Sequence, residues 1–175
     1  LKKHPRFNAS LDSDAGEIVL KQYYHLGIAV DTDRGLIVPV IRDVDRKSLT
    51  ELSVELVDLV ERTRNGEAVL EDLHGGTFTI TNVGPIGGTA FSPIVNYPEV
   101  AILGMARARW QPVVRGQGDS QASFDDPRSL DVEPRYMLPL MLGFDHRVAD
   151  GADAARFVRS VAQVLEDPDQ LLLAL

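Results

Sequence analysis

The chain has 175 residues, 44% of them hydrophobic and 25% charged, with a net charge of −8 and no cysteine. That length gives one domain with a substantial core, and the acidic balance argues against nucleic acid or an anionic membrane as the main partner. Without cysteine, disulfides, thiolate metal sites and a cysteine nucleophile are excluded. No apolar stretch approaches membrane-spanning length, and the opening Leu1-Lys-Lys-His-Pro5 is not a signal peptide. The chain also opens without an initiator methionine, so it reads as a piece of something longer.

In chain order, residues 1–15 are polar and broken by Pro5, a loose lead-in with a turn at 12–16. Strand character follows at Glu17–Leu20 and Tyr23–Val30, rich in β-branched and aromatic residues. Asp31 to Gly35 reads as a five-residue hairpin loop, and Leu36–Ile41 as the returning strand, with Pro39 marking an edge or a bulge. His25, among apolar neighbours, is expected to be a packed core or interface residue.

The clearest helix starts at the capping box Ser48-Leu-Thr-Glu51 and closes at Asn65-Gly66. Its apolar stripe Leu49, Leu52, Leu56, Leu59 and Val60 is expected to face the core, and Glu51, Glu55, Asp58, Glu61 and Arg62 the solvent. A short helical piece, Leu70–Leu73, leads to an alternating strand, Gly76–Thr81. The loop Asn82–Gly88 is not a P-loop, since no Gly-Lys-Ser/Thr follows, nor a dinucleotide-binding turn, since its glycines are wrongly spaced and Pro85 interrupts them. Phe91–Pro98 is extended, Glu99–Arg107 a mostly buried strand, and Trp110–Val114 continues the sheet. Residues 115–134, with few apolar positions, read as a mobile surface hairpin or insertion.

The apolar run Tyr136–Gly143 leads into Phe144-Asp-His-Arg-Val-Ala-Asp-Gly151, and a helix follows over Ala152–Leu165 until Asp167-Pro168 stops it. A histidine on the turn between strand and helix suits a general base: a rigid element fixes the ring while the turn leaves it open. The alternative is a packed or solvent-facing histidine beside an ordinary Asp-Gly turn. Asp150 has two candidate jobs, capping the helix or orienting an imidazole. The tail Leu171-Leu-Leu-Ala-Leu175 is expected to dock on this domain or a neighbouring subunit, since each exposed leucine forgoes about 2 kcal/mol of burial. The order of elements gives α+β with a mixed or antiparallel sheet and flanking helices.

Several stretches together resemble the dihydrolipoyl acyltransferase component of the 2-oxoacid dehydrogenase complexes. They are Leu26-Gly-Ile-Ala-Val-Asp31, Gly35-Leu-Ile-Val-Pro-Val40, Gly76-Thr-Phe-Thr-Ile-Thr-Asn82, Gly87-Gly-Thr-Ala-Phe-Ser-Pro-Ile-Val-Asn96, Pro98-Glu-Val-Ala-Ile-Leu-Gly104 and Asp145-His-Arg-Val-Ala-Asp-Gly151. The His-x-x-x-Asp-Gly pattern alone is shared by other coenzyme A acyltransferases; the blocks in register are far more specific. The resemblance runs from about residue 23 to the end and implies a fold like that of chloramphenicol acetyltransferase. Residues 1–175 are then a catalytic domain lacking its N-terminal helix and first strand, with lipoyl and subunit-binding domains expected upstream.

The resemblance implies acyl transfer between dihydrolipoamide, carried on a separate domain, and coenzyme A, without a metal. His146 would be the general base and Thr81 the donor to the oxyanion, while Asp150 supports the architecture and Asp145 and Arg147 are structural. No residue is assigned to coenzyme A. An imidazole, ordinarily titrating near 6.5, is suited to take a proton from a thiol ordinarily near 8.5. The family arrangement is a homotrimer whose active sites lie between chains, assembled into a larger core with the 2-oxoacid decarboxylase and dihydrolipoyl dehydrogenase components. That implies the cytoplasm of a bacterium or the mitochondrial matrix of a eukaryote. The Gly87–Asn96 block looks most like the acetyl-transferring members. Succinyl or branched-chain transfer, a hydroxyl-acetylating enzyme of the same fold and a non-catalytic assembly scaffold are the alternatives.

Overall fold

The computed structural model describes residues 1–116, 130–167 and 169. Its centre is a mixed five-stranded sheet of order β11-β8-β7-β3-β6. The strands are β3 (Leu26–Ile28), β6 (Val40–Ile41), β7 (Phe78–Asn82), β8 (Ala101–Met105) and β11 (Leu140–Phe144). Strands β3, β7 and β8 run parallel; β6 and β11 close the two edges antiparallel. The α+β class with a mixed sheet and helices is therefore as expected.

Side chains alternate across the pleat, so the sheet has two faces of different character. On one face Leu26, Phe78, Ile80, Ala101, Leu103, Leu140, Leu142 and Phe144 form the core with Phe7 and with Ala154 and Phe157 of helix α2 (Gly151–Glu166). Phe157 sits at the centre, its ring 4.9 Å from that of Phe7 and 5.6 Å from that of Phe78. The other face is lined by Gly27, Thr79, Thr81, Ile102, Gly104, Met141 and Gly143, and the extended segment 89–99 crosses it. A Cβ on Gly104 would stand 2.6 Å from Phe91 Cζ, and one on Gly143 would stand 2.5 Å from the Pro93 carbonyl oxygen. These glycines are sockets: a backbone segment lies on the sheet only because those side chains are missing.

The remaining strands form two-stranded pieces. β1 (Ala9–Asp12) pairs with β2 (Glu17–Leu20), so the segment read as a loose lead-in holds a strand. Its polar residues mask the pattern, yet Ala9 is buried and Asn8 Nδ2 donates to the carbonyls of Lys21 and Tyr23. β4 (Val30–Thr32) and β5 (Gly35–Ile37) make a hairpin with Thr32 opposite Gly35, tighter than the five-residue loop expected. Pro39 separates β5 from the edge strand β6, as its missing N–H requires.

The largest departure is β9 (Arg109–Gly116): Trp110–Val114 is expected to continue the sheet, but among the described residues β9 pairs only with β10 (Leu130–Met137). Trp110 faces Tyr136, Pro112 faces Pro134 and Val114 faces Val132. Two opposed prolines leave gaps in the ladder that a central strand cannot tolerate. The surface hairpin or insertion expected at 115–134 has strand at both ends, residues 115–116 of β9 pairing with the start of β10, and residues 117–129 lie outside the described residues, as does the leucine tail.

Helix α1 (Leu49–Arg64) has the expected capping box: the Ser48 side chain accepts from Glu51 N, and the Glu51 carboxylate accepts from Ser48 N at 2.7 Å. Its apolar stripe is only partly used. Leu59 is buried, Leu52 and Val60 are half-buried, and Leu49 and Leu56 are exposed, because α1 leans on β4 and the edge strand β6 rather than across the sheet. His25 is packed as expected, its Nδ1 accepting from Asp43 N at 2.9 Å. That bond fixes the ring's tautomer and holds Asp43 in a left-handed conformation (φ 48°).

Candidate active site

His146 stands just beyond the C-terminal end of β11. Asp145 N donates to the Val100 carbonyl, which carries the ladder one residue further, and Val148 N and Ala149 N both return to the Asp145 carbonyl. Val148 and Ala149 are buried, pinning the turn from below. Above it, the Asp145 carboxylate accepts from Arg147 N at 2.9 Å, from Arg147 Nε at 3.0 Å and from an Arg147 terminal nitrogen at 2.6 Å. The guanidinium holds the Asp145 carboxyl below the usual carboxylate range. Both residues are structural, as expected.

His146 itself is exposed, its ring 5.5 Å from that of Phe144 and tilted by 34°. Among the described residues it makes no hydrogen bond from its ring. A stiff frame therefore presents an open imidazole. Of the two jobs open to Asp150, the structure shows capping: Oδ1 accepts from Asp153 N at 2.8 Å at the start of α2. Backbone N–H groups of Asp153 and Ala152 hold its carboxyl below the usual range.

Thr81 is half-buried near the C-terminal end of β7. Next to it, Asn82 turns the chain by accepting from Gly84 N at 2.9 Å, and lines a cleft of about 570 Å³ with Ala29, Asp31, Thr32, Arg64 and Ile86. The cleft lies beyond the C-terminal ends of the parallel strands, the end at which open parallel sheets commonly bind ligands. Along the sheet, Thr81 is level with Gly104 and Met141, whereas Phe144 is level with Ala101. Thr81 is thus about 10 Å along the strands and about 10 Å across them from Phe144, with His146 two residues further out. One chain does not bring His146 and Thr81 together. They occupy opposite ends of the sheet.

Sequence reasoning missed Glu99 and Thr79. Glu99 opens the buried run Val100–Leu103, and its Oε2 accepts from Thr79 Oγ1 at 2.6 Å. Burial pushes this carboxyl up to about 7, against the pull of the Thr79 hydroxyl. The available signal was an acidic residue inside a stretch otherwise read as buried strand.

Comparisons with known proteins agree with this architecture. The acetyltransferase component of the pyruvate dehydrogenase complex of Pseudomonas aeruginosa is 48% identical over 173 residues, covering 99% of this chain and 29% of that protein. The dihydrolipoamide acetyltransferase of Azotobacter vinelandii, solved to investigate the role of a serine, a histidine and an asparagine in its catalytic mechanism, superposes with a TM-score of 0.86. It is 46% identical, and the match covers 98% of this chain and 65% of that one. The cubic core of a pyruvate dehydrogenase multienzyme complex gives the same TM-score, identity and coverage. The chain therefore spans under a third of its Pseudomonas relative and just under two thirds of these solved chains. The family model of the 2-oxoacid dehydrogenases acyltransferase (catalytic domain) matches residues 1–173, ahead of the residue 23 from which the motifs are recognisable, and the chain belongs to that family.

Proposed function

We propose that this domain transfers an acyl group, acetyl in particular, between dihydrolipoamide and coenzyme A. The carrying observation is an open imidazole on a pinned turn at one end of the sheet and a strand-end hydroxyl at the other. His146 takes the proton from the attacking thiol. The sulfur adds to the thioester carbonyl, and the Thr81 hydroxyl donates to the resulting oxyanion. Collapse expels the second thiol, which recovers the proton from His146, so atoms and charge balance and no acyl-enzyme forms. Asp150 acts indirectly, by capping the helix whose start follows the His146 turn.

The separation of His146 from Thr81 within one chain favours a site shared between copies, with the histidine of one protomer facing the hydroxyl of its partner. A homotrimer closes three such sites by one repeated contact. The Azotobacter enzyme was investigated through a histidine and an asparagine four positions apart, and this chain has His146 and Asp150 at that interval. Acetyl is favoured by the name of the Pseudomonas relative, and a larger core by the cubic assembly of a neighbour. On this reading the chain is the catalytic domain of a longer subunit. Its lipoyl group is carried on a separate domain, its partners are the decarboxylase and dihydrolipoyl dehydrogenase components, and its setting is a bacterial cytoplasm or a mitochondrial matrix.

The test is subunit mixing. His146→Ala and Thr81→Ala are each expected to be nearly inactive in acetyl transfer from acetyl-CoA to dihydrolipoamide. Assembled together, about a quarter of random interfaces pair a native histidine with a native threonine, so activity returns. A mixture as inactive as its parts would sink the shared site. A fully active His146→Ala variant would sink the base assignment.

A further inference from the structure

The face of the sheet that carries Thr81 also carries a half-buried acid that the transfer chemistry does not use. Thr77, Thr79 and Thr81 point to this face by strand alternation. The first bonds the backbone of His25, the second bonds Glu99, and the third is the proposed oxyanion donor. Glu99 ends the segment that crosses this face, and its Oε1 rests on two glycines. A Cβ on Gly76 would stand 2.5 Å from Oε1, and one on Gly27 would stand 3.6 Å from it. At the segment's other end Phe91 rests on Gly104, the residue level with Thr81. One end of this strap thus lies beside Thr81, on Gly104, and the other is tied down by the Glu99 carboxyl.

We infer that Glu99 is a positioning residue for the Thr81 site and works there as a neutral carboxylic acid. This rests on the reading of Thr81 as the oxyanion donor. The carboxyl lies against Gly27 of β3, Gly76 just before β7 and Thr79 of β7, with Val38 of the β5–β6 connection and Val40 of β6 beside those glycines. None of them is titratable, and no charged group among the described residues bears on it. Nothing offsets a negative charge there except one hydroxyl. Ionised, Glu99 would have two effects: it would repel an oxyanion one strand repeat away, costing about tenfold in rate, and it would be drawn out of its slot, releasing the strap.

The experiment is the pH profile of kcat for acetyl transfer, measured on the assembled protein and on Glu99→Gln and Thr79→Val. The parent is expected to lose rate on an alkaline limb centred near pH about 7. Glu99→Gln cannot ionise and lacks that limb. Thr79→Val removes the donor that favours the carboxylate and moves the limb to higher pH. Infrared difference spectra supply a readout independent of turnover: a protonated-carboxyl carbonyl band in the parent below the limb, gone above it and missing in Glu99→Gln. Coincident profiles for parent and Glu99→Gln, or no such band in the parent, overturn the inference. An inactive parent, or a fully active His146→Ala variant, overturns the acyl-transfer reading instead, and the infrared band still decides the state of Glu99.

Discussion

The His146 turn and the face of the sheet that carries Thr81 are built in different ways. The turn is made from its own neighbours in sequence: Asp145 grips Arg147, Val148 and Ala149 tuck inward, and Asp150 starts the next helix. The face that carries Thr81 is made from residues far apart in the chain, with Phe91 on Gly104 level with Thr81, Pro93 on Gly143 and Glu99 on Gly27 and Gly76. The turn is a local motif and the face a packing arrangement. The first should tolerate remote changes and fail only when its own residues are altered. The second should fail through substitutions well away from Thr81.

The largest effect expected is at the two proposed reacting groups. His146→Ala should lower kcat by about two to four orders of magnitude and Thr81→Ala by about two to three, with thermal unfolding little changed. Equal losses of stability and activity would show instead that these side chains hold the fold. The next tests the packed face. Gly143→Ala drives a Cβ into the Pro93 carbonyl, which being backbone has nowhere to turn, and should cost about 1–3 kcal/mol. Gly104→Ala meets the edge of the Phe91 ring and should cost less. Chemical denaturation measures both, and a neutral Gly143→Ala would mean that the strap does not lie on the sheet.

The smallest effects are read by pH. Asp145 has its folded-state pKa depressed by Arg147, so its contribution to stability is present above its unfolded value and lost as pH falls through the folded one. Arg147→Ala should flatten that acid-side loss. Glu99 has the opposite sign. Its folded value is raised from 4.5 to about 7, so stability is fullest below 4.5 and declines as pH rises between the two values. Melting curves of parent, Arg147→Ala and Glu99→Gln across this range separate the turn from the face. Asp150→Ala should lower Tm by a few degrees through loss of the cap, and Asp150→Asn, which can still cap, should lower it less.

Much of this was legible beforehand. The capping box of α1, the turn nature of Asn82–Gly88, the break at Pro39 and the open histidine before a helix all depend on neighbours a few residues away, and such contacts leave their pattern in the sequence. The strand β1 was missed because its polar residues hide a buried Ala9 and a hydrogen-bonded Asn8. The stripe of α1 was over-read because periodicity tells which residues share a face and not what covers them. Leu49 and Leu56 share Leu59's side of the helix, yet only Leu59 meets the body of the domain.

The sequence alone determined the α+β class through its order of elements, and its resemblance to a known family supplied the candidate pair His146 and Thr81, since short motifs are properties of the linear chain. Tertiary structure alone decided that those two residues lie at opposite ends of one sheet, because strand order and parallel pairing are set by contacts across tens of residues. It also turned Glu99 from one acidic residue among many into a half-buried acid over two glycines. That role exists only because β3 and β7 pair side by side and the segment from Phe91 to Glu99 folds back across them.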